Sequence, residues 1–457
     1  MNAKVLTAIV LGKAAGAIMR LFGRGSSFPG ALALRICPEL LGILAKDVRV
    51  AVVTGTNGKT TTCHMIAKIL MDEGNRVLAN EMGANMASGI ASAFVFRARL
   101  NATVDADYAV IECDEASLVH VASALKPFAV VVTNVFRDQL DRYGEITTTL
   151  DIIKQGLKLI PSSLLVVNAD CSLCASLGDL PNKIVYYGLS GAKEFCAKHT
   201  SAQEVSRCIK CGAPYQYEYR LFAHLGGFYC KECGYKRPEP DLEALSVKYD
   251  DKNQSIVDVT VKGSDKVIKL NLSLPGMFNI HNALAALCVA KASGIEYKNA
   301  LASLSLVDAS FGRMERFVLS GTEVCMVLVK NPTGADLILS FLMQNKRYKR
   351  VVFGLNDNPA DGEDISWIWD ASFESIYEQK DFSFSKTYVM GTRSSDMALR
   401  LKYAGADASS IHTIHETKDV ASVIEDGDEP ICLVLNYTSM LQTRRFLDKH
   451  YRLGGLR

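Results

Sequence analysis

Short apolar runs alternate with amphipathic stretches along much of this chain, an alternation that predicts a mostly parallel sheet covered by helices. Apolar runs rich in β-branched residues are typical of strands buried on both faces. Such runs predict strands at residues 48–53, 76–79, 108–112, 129–134, 163–168 and 184–187. Apolar and polar residues alternate at 245–261 and 267–274, which predicts further strands, and a helix is predicted at 281–293. The predicted fold class is α/β.

A second alternating unit begins near residue 311. It shows apolar runs at 324–329, 350–354, 386–390 and 430–436, with helical stretches between them. The length of 457 residues suits two or three domains. We therefore predict three parts: an N-terminal segment at 1–50, a central domain at 51–308 and an α/β C-terminal domain at 309–457.

Composition and charge narrow the classes of function. The formal net charge is only +2, so no strong field attracts nucleic acid, and we expect no nucleic-acid partner. Thirteen cysteines are many for a chain of this length. Because no cleavable signal peptide is evident, we expect these cysteines to be reduced in the cytoplasm, where close spacing indicates metal binding rather than disulfides.

The first 45 residues are apolar and basic. Five basic residues stand among the apolar ones, and no acidic residue precedes Glu39. A transmembrane span needs about 20 uninterrupted apolar residues, which this segment lacks. Two interpretations stay open: a helix packed on the neighbouring domain, which we favour, and a basic amphipathic segment in peripheral contact with the cytoplasmic face of an anionic membrane.

The predicted strand at 48–53 leads into a glycine-punctuated turn and then a helical stretch. A turn in this place is typical of a phosphate loop, in which backbone N–H groups and a helix N-terminus face the phosphates of a nucleotide. The common spacing would place its first glycine at Val53, so the match is the shorter Gly-x-x-Gly-Lys-Thr form. We predict ATP binding with Lys59 on the phosphates and Mg²⁺ on the Thr60 hydroxyl, although an unrelated glycine turn is the alternative. The predicted ATP-binding residues are Gly55, Thr56, Asn57, Gly58, Lys59, Thr60 and Thr61.

Four cysteines form two Cys-x-x-Cys pairs, Cys208 with Cys211 and Cys230 with Cys233, and 18 residues lie between the pairs. Each pair can present two thiolates to one tetrahedral ion, and the segment between them can form a hairpin. Residues 195–240 are also rich in Tyr, Lys and Gly, so we predict a zinc ribbon inserted in the central domain. Four thiolates close the coordination sphere, and the predicted Zn²⁺ is therefore structural rather than catalytic.

Several segments resemble the Mur ligase family, whose members join amino acids to carboxylates through acyl phosphates. The resemblance begins in the phosphate loop and continues in Val110-Ile111-Glu112-Cys113-Asp114-Glu115, where Glu112 matches the family's Mg²⁺-binding glutamate. Asn168-Ala169-Asp170 and Gly276-Met277-Phe278-Asn279-Ile280-His281-Asn282 resemble its adenine-side segments. Gly312-Arg313-Met314-Glu315 resembles the start of its C-terminal ligase domain.

One segment departs from that family. Residues 133–144 resemble its Asp-His-x-Asp segment, but Gln139 stands in place of the usual metal-facing histidine. That second metal contact is therefore left open. Lys154 follows, near the place where some Mur ligases carry a carbamylated lysine, and we interpret it as an ordinary surface lysine.

Two departures favour the MurT branch of the family. About 50 residues precede the phosphate loop, too few for the N-terminal domain with which other Mur ligases hold a UDP-linked substrate, and a zinc ribbon interrupts the central domain. Residues 80–86 and 355–370 also resemble the MurT family. The resemblance implies ATP-dependent amidation of the α-carboxylate of D-glutamate in the lipid II stem peptide, through an acyl phosphate. The product is D-isoglutamine, and the reaction belongs to peptidoglycan synthesis.

The resemblance also implies roles outside the phosphate loop. Glu112 would hold Mg²⁺ together with the threonine of the loop. Asn279 and Asn282 would lie on the adenine side, although asparagine at a helix start is as often a cap. Arg313 stands near the predicted domain boundary and would reach a phosphate when the domains close.

Ammonia is the second substrate that the resemblance implies. Free ammonia is scarce at neutral pH, so such enzymes take it from glutamine with a nucleophilic cysteine and a histidine. No obvious cysteine nucleophile motif is present, and the eight histidines cluster near no promising cysteine. The resemblance therefore implies a heterodimer with a GatD-like glutaminase in the cytoplasm, held near the membrane by the lipid II substrate.

The segment at 355–370 carries the residue that this partner would need. It is rich in Asn and Asp, contains one proline and one glycine, and holds the chain's only two tryptophans, features of an exposed loop at an interface. The resemblance implies that Asp364 completes the partner's Cys–His pair by orienting the histidine. Asp357 and Asp361 are neighbouring alternatives. The structural alternative is a solvated acidic turn with two core tryptophans.

Two other functions compete with amidation. A folylpolyglutamate-type ligase shares the ATP loop but adds an amino acid and needs no glutaminase. A non-catalytic adaptor would use ATP as a switch and the zinc ribbon as a binding module. The adaptor predicts ATP binding without substrate-dependent turnover.

Overall fold

The computed structural model describes residues 3–21, 27–80, 83–137, 146–193, 195–196, 205–250, 254–307, 313–379 and 381–453. The side chains of residues 20, 21 and 313 lie outside this description. Apart from Arg137, which is grouped with the second unit, the described residues form two compact units, one within residues 3–307 and the other within 313–453.

The first unit contains eleven strands among its described residues. In chain order they are β1 (Arg49–Thr54), β2 (Val77–Ala79), β3 (Tyr108–Glu112), β4 (Ala129–Val132), β5 (Leu164–Asn168), β6 (Ile184–Leu189), β7 (Gln216–Phe222), β8 (Leu225–Tyr229), β9 (Leu242–Tyr249), β10 (Ser255–Val261) and β11 (Val267–Leu272). All but β7 and β8 join one sheet in the order β11-β10-β9-β6-β5-β4-β1-β3-β2. Within this sheet β2, β3, β1, β4, β5, β6 and β9 pair in parallel with their neighbours in that order, whereas β10 pairs antiparallel with β9 and β11.

The centre of this sheet is apolar on both faces. Strands β3 and β4 are buried along their whole length, and β1 is exposed only at Arg49. Continuous burial is what parallel strands covered by helices require. At the edge, β10 and β11 alternate between buried and exposed residues, because an antiparallel edge can face solvent on one side.

Helices cover the first sheet and its N-terminal side. They are α1 (Ala3–Leu21), α2 (Phe28–Ile36), α3 (Leu40–Ala45), α4 (Lys59–Asp72), α5 (Ala87–Arg97), α6 (Leu118–Leu125), α7 (Ile146–Lys158), α8 (Ser172–Ala175), α9 (Met277–Ala292) and α10 (Tyr297–Ser305). Helices α1 and α2 pack on each other and on α5, and α3 packs on α6. Helix α4 packs on α9, which also contacts β5 and β6.

The second unit is a smaller α/β layer. Its strands are β12 (Arg313–Leu319), β13 (Thr322–Leu328), β14 (Arg350–Gly354), β15 (Lys386–Met390), β16 (Ile411–Ile414) and β17 (Ile431–Leu435). They lie in the order β12-β13-β17-β14-β15-β16, parallel except for β12. Its helices are α11 (Pro332–Asn345), α12 (Glu374–Tyr377), α13 (Ser394–Tyr403), α14 (Asp419–Glu425) and α15 (Tyr437–Tyr451). Buried Val352, Leu433 and Met440 belong to its core.

The predicted α/β class and mostly parallel sheet are confirmed. The hairpin predicted between the two cysteine pairs is present as β7 and β8. Two strands were not predicted: β12, which is rich in charged residues, and the short, half-exposed β16. The helix predicted at 281–293 begins earlier, at Met277. None of the described helices has the length and apolar character that crossing a membrane requires.

Candidate functional site

The glycine-punctuated turn lies between the end of β1 and the start of α4. Gly55 and Gly58 have φ angles of 114° and 87°, in the left-handed region that favours glycine. A Cβ added to Gly55 would lie 2.5 Å from the Thr133 Oγ1 atom, and one added to Gly58 would lie 2.3 Å from Asn282 Oδ1. The turn is therefore packed so closely that only glycine fits at either position.

The side chain of Lys59 is held inside this turn. It is 8% exposed, and its Nζ donates to the carbonyl oxygen of Gly55 at 2.5 Å. The same ammonium lies 3.1 Å from a carboxylate oxygen of Glu115, which is also buried. A buried ammonium needs a compensating charge, and Glu115 supplies it here. The sequence singled out Lys59 but assigned no role to Glu115.

Thr60 and Glu112 meet at the end of β3. The Thr60 hydroxyl donates to Glu112 Oε2 at 2.8 Å. Asn80 fixes the backbone of Glu112 with two hydrogen bonds of 2.9 Å, one donated to its carbonyl oxygen and one accepted from its N–H. The Asn85 amide lies 3.4 Å from Glu112 Oε1. A hydroxyl and a carboxylate therefore stand side by side beside the turn.

Asn134, just after β4, clamps the turn from the other side. Its Oδ1 accepts from the N–H of Asn57 at 2.9 Å, and its Nδ2 donates to the Asn57 carbonyl at 3.0 Å. The Thr56 hydroxyl accepts from the N–H of Phe136 at 3.0 Å. These bonds fix the middle of the turn, and neither Asn134 nor Phe136 had been given a role from the sequence.

The two asparagines predicted on the adenine side lie at the start of α9. Asn279 Nδ2 donates to the carbonyl of Pro275 at 2.7 Å, which is a local bond at the helix start. Asn282 lies 3.4 Å from Asn279 and faces Gly58 of the turn. Both side chains are buried. The structure thus brings Asn282 to the glycine turn itself.

A buried carboxylate ties α9 to the inserted ribbon. Asp170 is fully buried, and its carboxylate contacts Arg237 Nε at 2.7 Å and His281 Nε2 at 2.8 Å. It also accepts from the N–H of Leu189 at 2.8 Å. Burial opposes ionisation, but the Arg237 and His281 side chains hold the pKa of Asp170 below its usual value. Three distant segments of the chain therefore meet at one ion-pair network.

The four cysteines of the ribbon converge on one point. The Sγ atoms of Cys208 and Cys233 lie 3.6 Å apart and those of Cys211 and Cys230 lie 3.5 Å apart. All four sulfurs lie within 4.8 Å of one another, a spacing suited to one tetrahedral ion. Burial opposes ionisation of Cys208, but N–H groups from the backbone of its own turn lower its pKa to about 7.

Each cysteine pair is followed by a glycine in the left-handed region. Gly212 and Gly234 have φ angles of 77° and 74°. Their N–H groups donate to the carbonyls of Cys208 and Cys230 at 2.8 and 3.0 Å, which closes each turn. The shared Cys-x-x-Cys-Gly pattern is a sequence signal that supports two matched turns.

One cysteine stands beside a histidine, contrary to the expectation from the sequence. The Sγ atom of Cys171 lies 3.5 Å from the Nε2 atom of His224, and His224 belongs to the ribbon. Burial would raise the thiol pKa, but a hydrogen bond with Cys174 and the His224 side chain hold the pKa of Cys171 well below its usual value. Both residues are fully buried, so glutamine has no access to this thiol.

The acidic segment of the second unit is exposed at Asp364. Its Oδ1 accepts from the N–H of Ser366 at 2.8 Å, and hydrogen bonding with Ser366 lowers its pKa. Asp361 is buried instead and accepts hydrogen bonds from Thr438 at the start of α15. Asp357 accepts from the Thr392 hydroxyl at 2.8 Å. Of these three aspartates, Asp364 presents its carboxylate most openly.

Neither tryptophan belongs to the core. Trp367 is half-buried, and Trp369 is 49% exposed. The Trp369 ring lies 5.8 Å from the ring of Tyr403 and 5.4 Å from the Arg400 guanidinium. The exposed ring of Trp369 is therefore close in sequence to the exposed carboxylate of Asp364.

Comparison with known proteins identifies the family. The Mur ligase middle domain family matches residues 53–227, and the MurT ligase C-terminal family matches residues 328–440. The MurT subunit of the glutamine-hydrolysing lipid II isoglutaminyl synthase of Streptococcus pneumoniae is 34% identical over 451 residues, which cover 98% of both chains. The chain belongs to the MurT family. The MurT subunit of Staphylococcus aureus strain COL is 33% identical over 98% of this chain and 99% of its own.

Solved structures place the MurT-family chain in the Mur ligase fold. A pseudomurein peptide ligase of type C from Methanothermus fervidus superposes with a TM-score of 0.65 at 22% identity, over 88% of this chain and 79% of its own. The Mur ligase family uses ATP and Mg²⁺. The resemblance seen in the sequence, to the family and to its MurT branch, is confirmed.

Three residues named in the sequence analysis are not placed at the glycine turn among the described contacts. Gln139 lies outside the described residues, so the second metal contact has no structural counterpart here. Arg313 begins β12, where its backbone pairs with Val327, but its side chain lies outside the description. Lys154 is half-buried within α7.

Proposed function

We propose that this chain is the ATP-dependent synthetase subunit that amidates the α-carboxylate of D-glutamate in the lipid II stem peptide, giving D-isoglutamine. The observation that carries the proposal is the similarity to MurT subunits along 98% of the chain. The cluster of Lys59, Thr60 and Glu112 supports it, because amidation of a carboxylate needs phosphoryl activation.

Nucleotide phosphates fit the glycine turn. When bound, ATP supplies the phosphoryl group that converts the carboxylate into an acyl phosphate. The turn leads into the N-terminus of the 14-residue helix α4, whose first backbone N–H groups suit an anion. Lys59 is held at the base of the turn, and its ammonium would contact the phosphates of a bound nucleotide. Asn134 keeps Asn57 and the middle of the turn in place.

Magnesium fits the pair formed by Thr60 and Glu112. Mg²⁺ takes oxygen ligands and is usually bound by one or two protein oxygens together with phosphate oxygens and water. The Thr60 hydroxyl and Glu112 carboxylate lie 2.8 Å apart, at the start of the helix that faces the phosphates. Asn80 and Asn85 orient Glu112 for this role.

Zinc fits the four cysteines of the ribbon. Thiolate sulfur is the preferred ligand of structural zinc, and the four sulfurs lie within reach of one ion. No fifth position is left for a substrate in a closed four-thiolate site. We assign the ion the role of holding the β7–β8 hairpin in place.

Ammonia comes from a second subunit, a GatD-like glutaminase. A glutaminase needs an accessible cysteine activated by a base. Among the described residues the cysteine paired with histidine is Cys171, and it is fully buried. Exposed Asp364 is suited to orient the histidine of a partner, because its carboxylate faces solvent and its pKa is low.

The test is an amidation assay on the heterodimer, with Asp364→Asn against wild type. We expect the variant to lose lipid II amidation with glutamine and to keep it with ammonium, because the ATP site is untouched. Glu363→Gln, at the exposed neighbouring acid, is the matched control and should behave as wild type with both nitrogen sources.

Two outcomes would contradict the proposal. Equal activity of Asp364→Asn and wild type with glutamine would remove Asp364 from the partner's catalytic group. No amidation by wild type from either nitrogen source, despite ATP binding, would favour another ligase or the adaptor.

A further inference from the structure

Helix α1 packs tightly on the first unit along one face. Val5 and Ile9 on this face are buried. Gly16 lies so close to α5 that an added Cβ would approach the ring of Phe96 to 2.3 Å. The apolar residues of this face are used in packing. The sequence favoured this interpretation, a helix packed on the neighbouring domain.

The opposite face of α1 is also apolar, and it faces solvent. Its exposed positions repeat at helical spacing, which places them on one stripe. Three of the side chains are large: Val10 is 44%, Leu11 45% and Ile18 56% exposed. The exposed residues of the outer stripe are Thr7, Val10, Leu11, Ala14, Ala17 and Ile18. Between residues 7 and 18 of this stripe only Thr7 offers a polar side chain, and exposed Lys4 continues the stripe at its N-terminal end.

Helix α2 adds a second exposed apolar group. Phe28, at its start, is 52% exposed, and Ala31 and Arg35 are exposed at the same helical spacing. Helices α1 and α2 both pack on α5, so their exposed residues lie on faces turned away from it. Large apolar side chains exposed in such a group mark an interaction surface.

The described charged side chains of α1 and α2 have one sign. Between residues 3 and 38 the described charged side chains are Lys4, Lys13 and Arg35, and the first acidic residue is Glu39. Lys4 and Arg35 are exposed, while Lys13 is half-buried and donates to the carbonyl of Phe96 at 3.3 Å. Basic side chains beside an apolar stripe complement anionic lipid headgroups above an acyl interior.

We propose that the outer stripe of α1, with Phe28 of α2, rests in the interface of an anionic membrane. The stripe enters the boundary between headgroups and acyl chains, and Lys4 and Arg35 contact lipid phosphates. The exposed charged groups beside the apolar stripe, Lys4 and Arg35, are both cationic, whereas a protein partner would be met by a rim of donors and acceptors. A lipid surface needs no such rim, and helices of this kind lie in the interface without spanning it.

This surface is connected to the candidate active site through α5. Helix α5 begins at Ala87, directly after the segment in which Asn80 and Asn85 contact Glu112. Membrane docking would therefore leave only α5 between the lipid surface and the Thr60–Glu112 pair that we propose binds Mg²⁺. The residues of α1 and α2 by themselves support membrane docking, whereas the use of this surface in meeting a lipid-linked substrate rests on the proposed function.

The test is flotation of the full heterodimer with lipid vesicles. Vesicles of phosphatidylcholine with about one third phosphatidylglycerol are compared with pure phosphatidylcholine. We expect wild type to float with the anionic vesicles, and less so at high salt, because screening weakens the contacts of the basic side chains. The double variant Leu11→Glu with Ile18→Glu should lose about tenfold or more in partition, since it places charge where apolar area is buried.

A matched control carries the same change elsewhere. Leu306 and Val318 are 67% and 75% exposed, so Leu306→Glu with Val318→Glu should leave flotation unchanged. Unchanged thermal unfolding of both double variants shows that they fold. Equal flotation of the α1 variant and wild type, or no preference of wild type for anionic vesicles, would overturn the proposal.

Two further readouts separate this proposal from its competitors. If the α1 variant dissociates from the glutaminase or changes self-association while vesicle binding is unaltered, the stripe is a protein interface and the proposal is wrong. Amidation of a water-soluble lipid II analogue should be the same for the α1 variant and wild type. If wild type floats with anionic vesicles but does not amidate lipid II, the proposed function is wrong while the proposed membrane surface is supported.

Discussion

In the candidate nucleotide site, the positive charge of Lys59 is held in a buried ion pair with Glu115. The pair is 3.1 Å long, and both side chains are less than one tenth exposed. Under the proposed function, incoming phosphates would have to compete with this carboxylate for the ammonium. Glu115 would then stabilise the nucleotide-free protein and weaken phosphate binding at the same time.

Replacing Glu115 with Gln should change both properties. The thermal midpoint of the nucleotide-free protein is expected to fall, because removing one partner of a buried pair costs about 3 kcal/mol. The rise in midpoint on adding Mg·ATP should be larger than in wild type. Differential scanning fluorimetry with and without Mg·ATP measures both, with exposed Glu73→Gln as the control. An ATP-induced rise equal to that of wild type would show that Glu115 does not compete with phosphate.

Asp170 predicts a pH dependence of stability. Burial opposes its ionisation, but Arg237 and His281 hold its pKa below the unfolded value of about 3.9. A carboxylate whose pKa is lowered on folding contributes stability above the unfolded pKa, and that contribution is lost as pH falls through the folded pKa. We expect Asp170→Asn to be less stable than wild type at pH 7 and the difference to shrink below about pH 4.

Calorimetric midpoints measured from neutral pH down into the acid range check this expectation. Asp47→Asn, at an exposed aspartate of the same unit, is the control and should follow wild type at every pH. A difference between Asp170→Asn and wild type that does not vary with pH would mean that the network contributes no ionic stability.

Among the elements, the β7–β8 hairpin depends most on contacts outside itself. An isolated two-stranded hairpin is marginally stable in water. Its ends carry the four cysteines, and Tyr235 and Arg237 bond it to Ser172 and Asp170. The proposed zinc ion and these docking contacts would therefore together hold an element that its own strand pairing would not.

Cys208→Ser with Cys230→Ser should remove one ligand from each pair. We expect zinc content, measured by mass spectrometry, to fall well below one ion per chain, and the thermal midpoint to fall with it, because structural zinc contributes folding energy directly. Cys196→Ser lies near the ribbon in sequence but outside the four-sulfur cluster and should keep both. Unchanged metal content and stability in the double variant would contradict a structural zinc site.

Strands were predictable where burial is continuous. Strands β3, β14 and β15 have the predicted bounds, because apolar runs covered on both faces leave a clear signal. Strand β12 was not predicted, because three of its seven residues are charged and it lies at the antiparallel edge of its sheet. An edge strand is stabilised by its neighbour, in this case β13, more than by its own apolar pattern.

At the scale of the whole molecule, two compact units carry different chemistry. The first holds the glycine turn, the ribbon and the apolar stripe of α1, and the second holds the exposed Asp364. The near-zero net charge hides an uneven distribution, because the N-terminal helices are basic without an acidic residue before Glu39. A membrane-facing helix and an acidic partner-facing loop are both compatible with that distribution.

The sequence by itself determined the α/β class, the glycine turn, the two cysteine pairs and the resemblance to the MurT branch. Each is a local signal, since a periodicity or a spacing of a few residues carries it. Only the tertiary structure decided which distant groups meet: Glu115 with Lys59, Asn134 with the turn, and Asp170 with Arg237 and His281. It also showed that one face of α1 is packed while the other is exposed. Such pairings depend on how strands and helices are ordered in space, which no local run of residues records.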